Sequence, residues 1–384
     1  MCRFLHTLIA RFSIAFGCAQ LVIDVLRKMH WHDRVVHPVA SQRLDIASFM
    51  NLRLKLTIAS ALDKLGLLTA FRALQSSKYG IVLTFHRVLH DADIADCYDP
   101  HLAISESVFE QLLLLLRREF QVVSLSQLLE CTETLDGRQR VALTFDDGWE
   151  DTHSVAYPLL LRYRTPATVF ICTGLMDRAG QIPEERFALI WKHCEKRNRL
   201  RALTGDLRKW GVPAAISFER SKWSQHLKSL PMQTKLLLLD HLEDAYGVPK
   251  TTTRQLMTWE EAQQMSRNDI CFGSHTASHC ALNSEPDSAI VDEFVESRAA
   301  IKRNMGFDTT HLAYPNGSYS KRVMQLAEDA GFTHAFTTEP GLLSRRTNHF
   351  KIPRISLDDL VVTDESSGLH PSRVRFHLLH AVPR

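Results

Sequence analysis

IVLTFHRV (81–88) and VALTFDDGW (141–149) open alike and end differently. Each begins as a short run of apolar and β-branched residues, the pattern of a buried strand. The first runs into His86-Arg87, the second into the adjacent carboxylates Asp146-Asp147. In parallel α/β architectures the carboxyl edge of the sheet is where ligands sit. Two such strands therefore predict one shared site at that edge.

Strand and helix signals alternate outward from this pair. SESVFEQLLLLLRREF (105–120) predicts a helix with Ser105 as N-cap, its Leu112–Leu116 run packed on the sheet rather than in a membrane. QVVSL (121–125) reads as a short strand, SQLLECTETL as helical, and PATVFICTG (166–174) as the next strand. Asp151 reads as the N-cap of a helix running to Arg164. A long polar, helix-rich stretch at 181–250 reads as an insertion with no catalytic grouping in it. Alternation then resumes through strands at 269–276, 310–317, 333–338 and 351–357 with helices between them. This order implies a parallel sheet, either open and doubly wound or closed into a barrel.

The bulk numbers exclude several classes. A chain of 384 residues holds one domain of ~250 residues or more, or two smaller ones. A net charge of +3 with no Lys/Arg block gives no footprint for nucleic acid. The eight cysteines are scattered without a C-x-x-C pair, which argues against a zinc knuckle and offers no disulfide framework. Near the N-terminus, Arg11 and Asp24 interrupt an apolar stretch, leaving less than the ~20 residues a membrane span needs. No A-x-A cleavage site follows. An interfacial helix within residues 1–30 is the membrane-facing reading, and a cytoplasmic or membrane-associated location is favoured over export. Residues 1–49 form an extension of doubtful status, since translation beginning at Met1 or at Met50 fits the pattern. Residues 50–79 read as a helical lead-in, and 80–384 as the unit of alternating strands and helices that carries the insertion.

The second motif is GSHTASH (273–279). His275 and His279 are four apart, so a helical turn would put both imidazoles on one face. With one carboxylate they make a three-ligand site for a divalent metal that keeps positions open for water. The alternative is two unrelated histidines, one capping and one at the surface. Asp146 and Asp147 weigh against that, because adjacent acids at a sheet edge repel unless a cation or proton offsets them. One carboxylate can bind the metal while the other takes a proton from water, which suits hydrolysis of a carbonyl compound through an oxyanion. A third stretch, HLAYPNGSY (311–319), is a turn at a strand end that can point backbone N–H groups into the site. Two imidazoles and a carboxylate suit zinc best, with cobalt or nickel also compatible.

LTFDDG, SHTASH and AYPNGSY, in that order, resemble the motifs of the polysaccharide deacetylase (NodB-homology) family, carbohydrate esterase family 4. The resemblance covers roughly 80–357 and implies a deformed (β/α) barrel that removes acetyl groups from sugar polymers with a divalent metal. It makes Asp146 the base, Asp147, His275 and His279 the metal triad, and the backbone N–H of Asn316 an oxyanion donor. Members with an Arg-x-Pro-aromatic motif orient the base through that Arg. Here Ala313 and Asn316 stand at the Arg and aromatic positions, so the base needs another support, for which Arg354 is a candidate. HLLH (377–380) could hold the acid histidine. However, FHRV resembles the [YF]-H-x-V signature of the poly-N-acetylglucosamine deacetylase-like branch, which makes His86 the acid. A satisfied strand-end histidine is the alternative for His86, and Arg87 is expected to pair with a carboxylate.

The expected activity is metal-dependent N-deacetylation of N-acetylhexosamine units in a polysaccharide or glycan. The same site would serve an O-deacetylase or a non-sugar amidohydrolase. A non-catalytic glycan-binding protein is the rival from another class, disfavoured by the intact Asp146, Asp147, His275 and His279. Trp259 is expected to pack under the metal loop, with an aromatic platform for a sugar as the alternative, and Thr276 to support that loop.

Overall fold

The computed structural model describes residues 60–61, 63–64, 66, 78–97, 99–130, 137–178, 182–210, 220–249, 253–363 and 368–380. The expected interfacial helix within 1–30 and nearly all of the 50–79 lead-in lie outside them. Among the described residues, no helix is long and apolar enough to cross a membrane.

A parallel sheet forms the centre. Its strands are β1 (Ile81–Phe85), β4 (Gln121–Val122), β5 (Arg140–Phe145), β6 (Ala167–Ile171), β7 (Ile270–Ser274), β8 (His311–Ala313), β9 (His334–Phe336) and β10 (Ile355–Ser356). They follow the order β10-β1-β5-β6-β7-β8-β9, with β4 beside β5. A parallel bridge between Phe336 and Ile352 ties the approach to β10 back onto β9, so the sheet curls into a barrel. Two short strands, β2 (Arg87–Leu89) and β3 (Ala103–Ser105), pair separately.

Alternation along the strands decides which way each side chain points. Leu83, Phe85, Leu143, Phe145, Val169 and Phe272 belong to the core under the helices, which α1 (Glu106–Glu119) helps to cover. Val82, Ala142, Phe170, Ala313 and Phe336 fill the barrel interior. Burial on both faces explains why these strands read as continuous apolar runs. Phe85, Phe109 and Phe145 lock α1 to β1 and β5, with ring centroids 5.4–5.9 Å apart.

Helices α2 (Leu125–Glu130) and α3 (Tyr157–Arg162) complete the first half. Between β6 and β7 stand α4 (Pro183–Lys196), α5 (Leu200–Lys209), α6 (Arg220–Lys228) and α7 (Met232–Tyr246), followed by α8 (Trp259–Ser266). The first four build a core of their own around Trp191, Leu203, Trp223 and Leu239. The second half adds α9 (Asp287–Met305), α10 (Lys321–Asp329), α11 (Asp359–Val362) and α12 (Pro371–His380).

One reading of the sequence changes here. Asp151 is not an N-cap: its carboxylate makes no cap bond, and a π-type turn at Thr152–Ala156 precedes α3. Instead Asp151 Oδ2 accepts from Arg87 Nε at 2.8 Å and Oδ1 from the Val88 N–H at 3.1 Å. The cost of burying Arg87 beside the sheet selects this partner over a free helix terminus.

Candidate active site

The strand registers bring the site together. Phe85 pairs with Phe145, so the residues after them, His86 and Asp146, leave the sheet side by side. The Asp146 N–H donates to the Phe85 carbonyl at 2.9 Å. One strand further on, Ile171 pairs with Ser274, and the His275 N–H donates to the Ile171 carbonyl at 2.9 Å.

Asp146 and Asp147 are both buried, yet they are sent apart by the backbone. Asp147 adopts φ +73° and Gly148 φ +82°, a turn that re-aims the second carboxylate. A Cβ on Gly148 would meet Ile171 Cγ2 at 2.8 Å, so both its conformation and its surroundings demand glycine.

Asp146 is taken by Arg354. Nη1 donates to Oδ1 at 2.7 Å and Nη2 to Oδ2 at 2.6 Å, a bidentate pair. Arg354 is itself fixed by the Thr337 carbonyl and the Thr144 hydroxyl. Burial alone would raise the Asp146 pKa, but the Arg354 guanidinium outweighs it and holds the carboxyl below its ordinary value. Arg354 thus occupies the supporting place left vacant by Ala313.

Asp147 faces the two imidazoles. Its Oδ1 stands 3.3 Å from His275 Nε2 and 3.5 Å from His279 Nε2, and the three ligand atoms lie within 4.8 Å of one another. Two ligands ~2.0–2.1 Å from one tetrahedral ion stand roughly 3.3 Å apart, so these spacings suit a divalent metal. Oδ1 is buried with no hydrogen-bond partner among the described residues, while Oδ2 accepts from Trp149 Nε1 at 2.9 Å. An orphaned buried carboxylate oxygen facing two nitrogens is the donor set of a cation site. Burial opposes ionisation of Asp147, but the neighbouring imidazoles override it and keep its pKa far below the usual carboxylate range.

The helical turn expected at 275–279 is absent. His275–His279 form an irregular loop in which Thr276 has φ +64° and His279 φ +61°. Positive φ at a β-branched residue is costly, and local bonds hold it. The Thr276 hydroxyl accepts from the His279 N–H at 3.1 Å, the loop support expected of it. Glu293 of α9 accepts from the N–H groups of Ala277 and Ser278 at 2.8 and 2.9 Å. His275 Nδ1 bonds the Ala313 carbonyl at 2.8 Å, which leaves Nε2 for a metal. That contact also fastens the 314–317 turn to the site. Asn316 sits in this turn with φ +55°.

His86 is half-buried and makes no side-chain hydrogen bond among the described residues. Burial draws its pKa below the ordinary imidazole value, against the charges of Asp147 and Asp146. Of the alternative acid's motif, His377 Nε2 bonds the Ser356 carbonyl at 3.1 Å, and the side chain of His380 lies outside the described residues. Arg87 pairs with Asp151 as expected and also covers the Trp149 ring at 4.5 Å. Trp259 packs against the core beneath the helices.

The 181–250 stretch does reach the site, contrary to its reading as devoid of chemistry. Glu184 Oε2 lies 3.4 Å from His279 Nδ1, and Glu185 Oε1 accepts from Gln255 Nε2 at 3.0 Å. Burial pushes the Glu185 pKa up to about 7.

A curled parallel sheet with a buried Asp-His-His set beside an Arg-held aspartate defines a hydrolase-type barrel, and the comparisons agree with that class. The polysaccharide deacetylase family profile matches residues 135–335, more than half of the chain. The protein belongs to the polysaccharide deacetylase family. It is 23% identical over 222 residues to the poly-beta-1,6-N-acetyl-D-glucosamine N-deacetylase of Staphylococcus aureus (strain MSSA476), covering 58% of this chain and 56% of that one. It is 29% identical over 99 residues to the YxkH protein of Bacillus subtilis (strain 168), covering 26% of this chain and 36% of that one. The chain thus spans about a third to just over half the length of these relatives. The Streptococcus pyogenes deacetylase PplD, solved in complex with acetate, shares the fold with a TM-score of 0.51 at 17% identity. That likeness covers 78% of this chain and 98% of that one.

Proposed function

We propose that the protein is a divalent-metal-dependent hydrolase that removes N-acetyl groups from N-acetylhexosamine units of a polysaccharide. The division of labour between Asp146 and Asp147 carries this reading: one carboxylate is gripped by a guanidinium, and its neighbour presents an orphaned oxygen to two imidazoles. The name of the Staphylococcus aureus relative supports the N-acetylated polymer as the substrate class.

Asp147, His275 and His279 would hold the metal, zinc being the best match to the donors. A bound divalent ion supplies Lewis-acid polarisation of the acetyl carbonyl and acidifies water at neutral pH. Asp146, kept ionised by Arg354, takes the proton from the attacking water. The Asn316 N–H donates to the developing oxyanion. His86 gives a proton to the nitrogen as the C–N bond breaks, releasing acetate and a free amine. Arg87, tied to Asp151 and Trp149, fixes the backbone just after His86.

The test is acetate release from N-acetylglucosamine oligomers by the purified, metal-stripped chain given zinc. Zinc-dependent release that vanishes in Asp146→Asn is expected. No release, with tight zinc binding retained, would overturn the substrate assignment.

A further inference from the structure

His275 and His279 are anchored differently. A metal-ligating histidine gives its second ring N–H to a carboxylate or carbonyl, which fixes its tautomer and orientation. His275 uses the Ala313 carbonyl of the barrel, at 2.8 Å. His279 Nδ1 is buried and has no hydrogen-bond partner among the described residues, and the acceptor facing it is Glu184 Oε2 at 3.4 Å. That oxygen is likewise buried and otherwise unpartnered. The other oxygen of Glu184 accepts from Lys235 Nζ at 3.0 Å.

Lys235 is fully buried and Glu184 nearly so, at 0% and 6% exposed. Both lie on apolar stripes: Lys235 precedes Leu238, Leu239 and Leu242 on α7, and Glu184 precedes Phe187, Ala188 and Trp191 on α4. Apolar residues there would be as stable or more so, because a buried ion pair struggles to recover its desolvation cost. Packing therefore does not account for the pair. Arg186 holds α4 to α7 through Glu243 at 2.8 and 2.7 Å, which fixes the geometry that delivers Glu184.

We propose that Glu184 is a positioning residue for the metal ligand His279, with Lys235 as its buried counter-charge, and that the helical insertion serves to supply both. The inference rests on the metal-site reading above. It assigns to the insertion control over metal affinity: the carboxylate selects the tautomer with Nε2 free and aims the ring at Asp147 Oδ1.

The experiment measures zinc affinity of the full chain by chelator competition, the Co2+ absorption spectrum, and the melting temperature of the metal-stripped form. Glu184→Gln alone strands Lys235, so the deciding variant is the double Glu184→Gln/Lys235→Met, in which no buried charge is left unpaired. Its stripped form is expected to melt at or above the wild-type temperature, with zinc affinity reduced ~10–100-fold and a shifted Co2+ spectrum. Glu184→Asp, which withdraws the carboxylate, should fall between. Zinc affinity within about twofold of wild type in both variants would overturn the proposal. Wild-type protein that binds no zinc, or binds it equally after His275→Ala, would instead overturn the metal site itself and this inference with it.

Discussion

Replacing Arg354 tests the arrangement around Asp146 most directly. Arg354 and Asp146 are 1% and 2% exposed and joined by bonds of 2.6 and 2.7 Å. Arg354→Met leaves a buried carboxylate unpaired, which costs ~3–5 kcal/mol. Loss of the bonds to the Thr337 carbonyl and Thr144 hydroxyl adds ~1 kcal/mol each. Asp146→Asn strands the guanidinium instead and costs a similar ~3–5 kcal/mol, less whatever the amide oxygen recovers. The double variant has no unpaired charge. Its deficit should be only the ~1–2 kcal/mol from the bonds Arg354 made elsewhere. Urea unfolding of the four proteins at pH 7 therefore closes a cycle with a coupling of at least ~2 kcal/mol. Acetate release should fall ~10²-fold or more in Arg354→Met while zinc affinity holds, since Arg354 touches none of Asp147, His275 and His279. Single losses that add to the double within ~0.5 kcal/mol would refute the argument.

His86→Ala should lower turnover ~10²-fold or more with metal content unchanged; the same loss in His380→Ala, with His86→Ala active, would move the acid to the C-terminal helix. Saturating zinc at ~1,000 times its dissociation constant should stabilise the stripped protein by about 4 kcal/mol, read as a rise in melting temperature that Asp147→Asn abolishes. Half-buried His311 provides a pH test away from the site. Burial holds its pKa down to about 4, so between pH 6.5 and 4 the unfolded chain takes a proton that the native one refuses. Stability is full above 6.5 and falls with pH, by about 2 kcal/mol from pH 7 to 5, and His311→Gln should remove that share. An unchanged pH slope in the variant would show that His311 is not the group responsible.

The fold and the Asp-His-His set were legible because their signals are local. A strand of the type LTF followed by ionisable residues needs no distant information, and parallel registers put equivalent strand ends at one level. Loop conformation was not legible in the same way. Spacing of four suggested a helical turn for His275 and His279, whereas Glu293 and the Thr276 hydroxyl pull the loop into positive φ. Asp151 carried the mark of an N-cap, and only the fold shows that Arg87, 64 positions earlier, claims it.

Glu184 was not legible for a related reason, though the sequence carries a trace of it. Helical periodicity places Lys235 in line with Leu238, Leu239 and Leu242, and Glu184 in line with Phe187 and Trp191. A charge on an apolar stripe must find a partner or abandon its ionisation. Lys235 shares that predicament with three buried glutamates of the insertion, Glu184, Glu185 and Glu243, and the fold selects Glu184 as its partner. Their pairing at 51 residues' separation then leaves the second carboxylate oxygen to be explained, and the site supplies the explanation: an imidazole needing an acceptor. Misplaced charges thus locate the contact between an insertion and a catalytic barrel where motif spacing cannot, because a motif records only neighbours along the chain.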